Sequence, residues 1–324
     1  MALLPPDPVY TIRNVDNVPV YSLAFSFLPG GLERLLAGSK NGYVYAYNLQ
    51  TNRVQQKIQV GQAPILHLIH TDSHLITQEK GGKFKIFKLT NSGYKEDALI
   101  EIDYPGFCRF EANTKLETIY VPDKESKIHI YNFSGEKKET LIPDTNDSSP
   151  KLGDPMCFKF IEFPGDKPCL LAGYEAGWLL LWDLNTSQCI GKLQTKECPM
   201  SIDYHLEQQR GIIGNVSNVM QIFSISKKDL NMTLKLDIPI KNSGINKVQS
   251  RIDGKVFASG GWDGHIRIFS WFSLRPLVVL TEHKQAVQDV VYSTEKVSLW
   301  KAHIMAAGGL DGAITLWDLY NNKN

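Results

Sequence analysis

Seven aromatic residues, Tyr47, Phe87, Tyr131, Trp182, Phe223, Phe269 and Trp317, recur in one local frame at intervals of 40, 44, 51, 41, 46 and 48 residues. A unit that repeats at this length has to stack on its neighbours to bury an apolar face, so the repeat restricts the fold more tightly than any other feature. The residues one and three places before each anchor are apolar in all seven copies, from Ala46 and Val44 to Leu316 and Ile314. The residue two after is also apolar, whereas the residue one after is polar, from Asn48 to Asp318. Such alternation marks a strand with one set of side chains turned to a neighbouring sheet.

Five residues before the anchors stand Gly42, Gly82, Ser126, Gly177, Asn218, Gly264 and Gly312. Glycine and asparagine accept positive φ most readily, so the column predicts a tight turn ahead of each anchor strand. A further apolar strand precedes each unit, as in VYSLAF (20–25), ILHLIH (65–70), CFKFIEF (157–163) and AVQDVVY (286–292), and another generally follows. Four strands at a period of roughly 40–45 residues describe a propeller blade. The expected fold is all-β, a seven-bladed propeller occupying residues 1–324 as a single domain. Only seven residues follow Trp317, and VYTIR (9–13) has strand character with no unit of its own. That segment, about residues 8–14, is expected to supply the outer strand of the last blade.

Two units, GWDGHIRIF and GLDGAITLWDL, and the fragment Leu181-Trp182-Asp183 resemble WD repeats. In that family a turn Asp, a strand hydroxyl, a loop His and a strand Trp form a buried bonded set that stiffens the blade. The resemblance assigns Asp263 and Asp311 as turn acids, His283 as the loop histidine of the last blade, and Trp182 and Trp317 as strand tryptophans. All are expected to be structural, although Ala306 and Ala307 stand where the hydroxyl belongs.

A closer likeness comes from PPDPVY (5–10), GFCRF (106–110), KLGDPMC (151–157), LLAGYEAG (170–177), PLVVL (276–280), AVQDVVY and the terminal LWDLY. Together they resemble the guanine nucleotide-binding protein subunit beta-like protein 1 family, to which the fungal ASTRA-associated protein 1 is related. The resemblance implies an adaptor or co-chaperone acting with the Tel2–Tti1–Tti2 assembly. Its role would be the maturation and stability of phosphatidylinositol 3-kinase-related kinases, and so DNA-damage signalling. A chromatin-associated scaffold of an ASTRA-type remodelling complex and a G-protein β-like signalling subunit are the alternatives. A true β subunit carries a long N-terminal helix, whereas this chain reaches a strand directly after PPDP.

The chemistry of the remaining residues is sparse. Balanced charge, 35 Lys+Arg against 34 Asp+Glu, gives no field for nucleic acid or an anionic membrane. The start, MALLPPDPVY, lacks an export signal, and the most apolar stretch, CLLAGYEAGWLLLW, carries Glu175. Five scattered cysteines without a CxxC pair suit reduced thiols in the cytoplasm or nucleus, where the five N-x-[ST] sequons carry no meaning. In HLIHTDSH, strand alternation sets His67 and His70 on opposite faces and His74 lies past a turn, which disfavours a metal site. No phosphate-cradling loop, nucleophile elbow or metalloprotease motif occurs; GGKFK (81–85) is a turn entering a strand. No enzyme activity and no cofactor is expected.

Recognition is expected on the turns. Seven residues before the anchors stand Lys40, Lys80, Lys124, Glu175, Val216, Trp262 and Leu310. In a propeller these share one face, basic on one side and apolar on the other, with a partner patch expected on blades five to seven around Trp262. The second candidate is the connection 134–155, with an outer strand near ETLI and an exposed loop at about 143–155. Its residues Lys151 and Asp154 are candidate contacts, and Asp147-Ser148-Ser149-Pro150 is a candidate phosphate acceptor. The expected assembly is a monomeric propeller held within a larger complex of proteins.

Overall fold

A computed structural model describes residues 5–13, 16–28, 30–91, 93–144 and 151–321. Among them are 28 strands and no helix. The strands form seven four-stranded antiparallel sheets. Six are consecutive, β2–β5 (20–59), β6–β9 (65–101), β10–β13 (111–141), β14–β17 (155–194), β18–β21 (199–239) and β22–β25 (245–280). In the seventh, β26 (Val287–Tyr292), β27 (Met305–Gly309) and β28 (Ala313–Trp317) are joined by β1 (Tyr10–Arg13). The chain is a seven-bladed β-propeller, and each anchor aromatic lies on the third strand of its blade. The outer strand taken from residues 10–13 pairs Tyr10 with Leu316 and Arg13 with Ala313.

Two compact units divide the chain. One comprises Met1–Lys80, Phe84–Asp97 and Gln249–Asn324, the other Gly81–Lys83 and Ala98–Val248. Each has its own apolar clusters. In the first, Ile12, Leu35, Tyr45, Ile314 and Leu316 pack together, and a second cluster gathers Ile266, Ile268, Val290 and Trp317. In the other, Leu171, Leu181, Ile213 and Phe223 form one cluster, and Tyr104, Leu170, Leu180 and Trp182 another.

The predicted turn column holds in backbone terms. Gly42, Gly82, Gly177, Gly264 and Gly312 have φ between 75° and 87°, and Ser126 has 64°; Asn218 makes its turn without left-handed φ. Ser126 follows Glu125 at φ 57°, a pair of left-handed residues as a type I′ turn demands.

Bulges recur where the blades meet. The first and second strands shift register after the opening residue in five sheets, as between Val20 and Ser22 and between Val287 and Asp289. A bulge re-aims the next side chain. Four of those side chains then bond the backbone of the following first strand. Ser22 Oγ donates to Ile65 O at 3.4 Å and Cys157 Sγ to Pro199 O at 3.5 Å. Ser201 Oγ accepts from Val248 N at 3.0 Å, and the fully buried Asp289 carboxylate accepts from Leu23 N at 2.8 Å.

A polar network between β2–β5 and β6–β9 makes stability sensitive to pH. Arg34 Nη2 donates to Tyr94 Oη at 2.8 Å, and Tyr94 Oη lies 2.8 Å from His70 Nε2. With Arg34 donating, the Tyr94 hydroxyl proton goes to His70, whose Nε2 must then be unprotonated. Burial, aided by the Arg34 charge, pushes the His70 pKa down to about 4. An unfolded histidine binds its proton near pH 6.5, so the unfolded chain takes up protons first. This contribution is complete above pH 6.5 and is lost as pH falls from there towards 4, to a total of roughly 3 kcal/mol. Melting curves at pH 7 and pH 4.5 are expected to converge for His70→Gln relative to wild type; equal pH slopes would exclude the network as the cause.

Candidate functional site

The last sheet contains a complete buried bonded set. His283 Nδ1 donates to Asp311 Oδ1 at 3.1 Å, Thr315 Oγ1 lies 3.1 Å from His283 Nε2, and Trp317 Nε1 donates to Thr315 Oγ1 at 2.8 Å. The hydroxyl expected on the second strand comes instead from Thr315 on β28, two residues before the anchor. Burial opposes ionisation of Asp311, yet its pKa lies below the ordinary value. The His283 bond and the backbone amides of Lys284 and Ala313 outweigh the desolvation.

Position two before the anchor does similar duty elsewhere. Arg267 forks onto Asp263 at 2.6 and 3.2 Å. His129 reaches Asp123 at 2.7 Å and Thr140 at 2.9 Å. Gln221 accepts from Lys196 N at 3.0 Å, Lys85 Nζ donates to Val60 O at 2.8 Å, and Tyr45 bonds Asp16. Leu180 is the exception. The column was legible in the repeat as a polar interruption of an apolar strand, and reading it would have found Thr315. Trp182 is buried against Tyr174 and Leu170 in its own cluster, so it is structural too.

In the unit holding residues 249–324, the turns and connectors interleave as one row. Three of its turns are fastened to the residue ahead of their own first strand: Lys40 N donates to Pro19 O at 2.9 Å, Lys80 N to Pro64 O at 2.8 Å and Leu310 N to Ala286 O at 3.0 Å. Each turn glycine also abuts the connector to the next sheet. A Cβ at Gly264 would lie 2.7 Å from His283 O, one at Gly312 3.1 Å from Val18 O, and one at Gly42 would run into Gly61. Along this row Trp262 is 44% exposed, Leu310 is half-buried, and Lys40, Lys80 and Lys284 are exposed.

The other unit uses its turns differently. Lys124 is exposed but pairs with Asp103 at 2.6 Å, and that bond raises its pKa. Glu175 is exposed and Val216 half-buried. Residues 151–154 fasten two turns: Asp154 Oδ1 accepts from Glu125 N at 3.1 Å, Gly153 O from Ser126 Oγ at 2.6 Å, and Asp154 O from Glu175 N at 3.0 Å. The left-handed Glu125-Ser126 turn is thus held by KLGDP, which gives Asp154 a structural task, whereas Lys151 is exposed. Buried Tyr104, just ahead of GFCRF, donates from its hydroxyl to Pro155 O at 3.0 Å. A residue two places ahead of GFCRF thus braces KLGDPMC. Asp147-Ser148-Ser149-Pro150 lies outside the described residues.

Residues 235–270 match the family model described as WD domain, G-beta repeat. The match marks one WD repeat within a propeller of seven four-stranded sheets that already holds a bonded Asp-His-Thr-Trp set. The chain is 28% identical to guanine nucleotide-binding protein subunit beta-like protein 1 of Mus musculus, over 98% of this chain and 97% of the relative. It is 23% identical to ASTRA-associated protein 1 of Verticillium alfalfae over 96% and 92% of the two chains. The protein of the same name from Schizosaccharomyces pombe is 31% identical over 25% of this chain and 20% of its own.

The groups of this propeller that could do chemistry are mostly occupied structurally. All five cysteines are free thiols. Burial raises Cys108 and Cys157 and pushes Cys169 to about 12 and Cys198 to about 11, so little nucleophilic thiolate forms at neutral pH. His70 bonds Tyr94 and His74 Nδ1 lies 2.9 Å from Ser73 Oγ, so the histidines of HLIHTDSH do not converge. Among the described residues no group of three or more His, Cys, Asp or Glu is placed to hold a metal ion.

Proposed function

We propose that this WD-repeat protein is a non-enzymatic adaptor working with the Tel2–Tti1–Tti2 assembly in the maturation and stability of phosphatidylinositol 3-kinase-related kinases. It would act in both cytoplasm and nucleus. The observation that carries the reading is similarity over nearly the whole chain to two proteins, one of them named for association with ASTRA, on a fold suited to holding partners. The exposed turn row from Trp262 to Lys80 is the docking surface in this reading, since tryptophan is enriched at the centre of binding energy.

Affinity purification of the tagged full chain is the test. Tel2, Tti1 and Tti2 are expected to co-purify, and depletion of the protein is expected to lower the steady level of the kinases. Recovery of histones and remodelling ATPases alone would support a chromatin scaffold instead, and recovery of a γ chain a G-protein β-like subunit. Trp262→Ala with Leu310→Glu is expected to fold normally and lose partners; retention of every partner removes the turn row from the proposal.

A further inference from the structure

The turn row has a sign of charge that the composition conceals. Most of its carboxylates are bonded or buried: Asp263 holds Arg267 and His265, and Asp311 holds His283 and two backbone amides. Asp16 is paired with Lys57 at 2.7 Å, and Glu79 is 3% exposed. Lys40, Lys80 and Lys284 are exposed. Among the described residues of the row, Glu282 is the one carboxylate that is exposed and has no bond described above. The lysines are not scattered. Lys284 belongs to the connector that packs against the Gly264 turn, and its amide is bonded to Asp311 at 2.9 Å. Lys40 is tied to Pro19 on the connector that the Gly312 turn abuts. Trp262 stands at the start of this sequence of contacts and Leu310 between the lysines.

We infer that the turn row binds an acidic segment of a partner protein that carries an aromatic or aliphatic anchor. The inference rests on the docking reading of the row given above. The anchor packs on Trp262 and Leu310, while carboxylates of the segment face Lys284, Lys40 and Lys80. Charges at a solvent-exposed rim act mainly on encounter and selectivity, so this arrangement favours acidic over basic partners and weakens as salt rises. The two kinds of contact are separable: the apolar pair supplies burial and the amines choose the sign.

The experiment is selection of a random dodecapeptide phage library on the purified full chain, followed by fluorescence anisotropy with an enriched peptide. Enriched peptides are expected to be net acidic with at least one Trp, Phe or Leu. Lys40→Glu with Lys284→Glu, two exposed positions, is expected to weaken the peptide about tenfold or more at 50 mM salt while leaving thermal melting unchanged. Trp262→Ala is expected to weaken it similarly but with little dependence on salt. Enrichment of neutral or basic peptides, no enrichment, or indifference to the lysine reversals overturns the inference. Comparison with the purification above separates the two readings. If the lysine reversals keep all partners while Trp262→Ala with Leu310→Glu loses them, the docking surface stands and the acidic segment is wrong. If the apolar pair of changes also keeps every partner, the docking surface itself fails.

Discussion

Deletion of residues 1–13 is expected to lower the melting temperature by roughly 10 °C or more, or to abolish folding. The outer strand Tyr10–Arg13 keeps a four-residue register with β28, and Val9 N adds a bond to Leu316 O at 2.8 Å. Interstrand hydrogen bonds contribute about 0.5–1.5 kcal/mol each in net terms. Ile12, 4% exposed, packs with Ile314 and Leu316, and its burial adds about 1.5–3 kcal/mol. The sum is about 5 kcal/mol, and each kcal/mol moves the midpoint of a large domain by roughly 2–4 °C. Deletion also bares β28 as an unpaired edge, which favours aggregation. Differential scanning calorimetry checks this, with Ile12→Ala as the milder companion at about 2–4 kcal/mol. A midpoint within a degree of wild type would mean that the strand is ornamental.

Arg251→Ala is expected to cost about 2–4 kcal/mol, because it takes the donors of a buried guanidinium away from two backbone carbonyls. The guanidinium is almost wholly buried and forks onto Asp253, with Nε to Oδ1 and Nη2 to Oδ2 both at 2.9 Å. Its other donors reach Leu319 O at 2.6 Å and Tyr320 O at 3.0 Å, beyond β28. Burial works against the Asp253 carboxylate, yet Arg251 holds its pKa below the ordinary value. Removing the arginine takes the donors from two carbonyls together, while the exposed Asp253 keeps access to water. Lysine cannot form the fork, so Arg251→Lys is expected to recover only a small part of the loss. Urea unfolding monitored by tryptophan fluorescence measures it; a loss below about 1 kcal/mol contradicts the account.

The repeat made the seven third strands and their turns legible, since the same backbone problem is solved seven times and each solution leaves its mark on composition. Residues 10–13 were legible as an outer strand for the same reason: a strand signal without a unit of its own. What escaped were side chains that serve one blade only. Thr315 replaces a hydroxyl sought on the neighbouring strand, and Arg251 spans some 70 positions to reach Leu319 and Tyr320. Neither carries a local signature, because a buried polar group is placed by whichever partner lies within reach. The recognition surface was half legible. Trp262 and Lys40 are exposed as the column implied, but Lys124 is balanced by Asp103 and Asp154 is committed to a neighbouring turn. Distance along the chain conceals both partnerships.

The pairing of Tyr10 with Leu316 joins residues about 300 positions apart, and it sets a timetable for synthesis. Residues 98–248, with the short segment 81–83, form a unit that can pack while the ribosome is still elongating. The unit that contains β1 needs both residues 10–13 and residues 313–316, so it stays unfinished until the latter have been made. At roughly 5–20 residues per second, that leaves residues 10–13 without their strand partner for about 15 seconds or more. Through this interval the apolar Ile12 and the open edges of the early strands are exposed to whatever the cell supplies. A propeller closed in this way would itself depend on protection while it is being made.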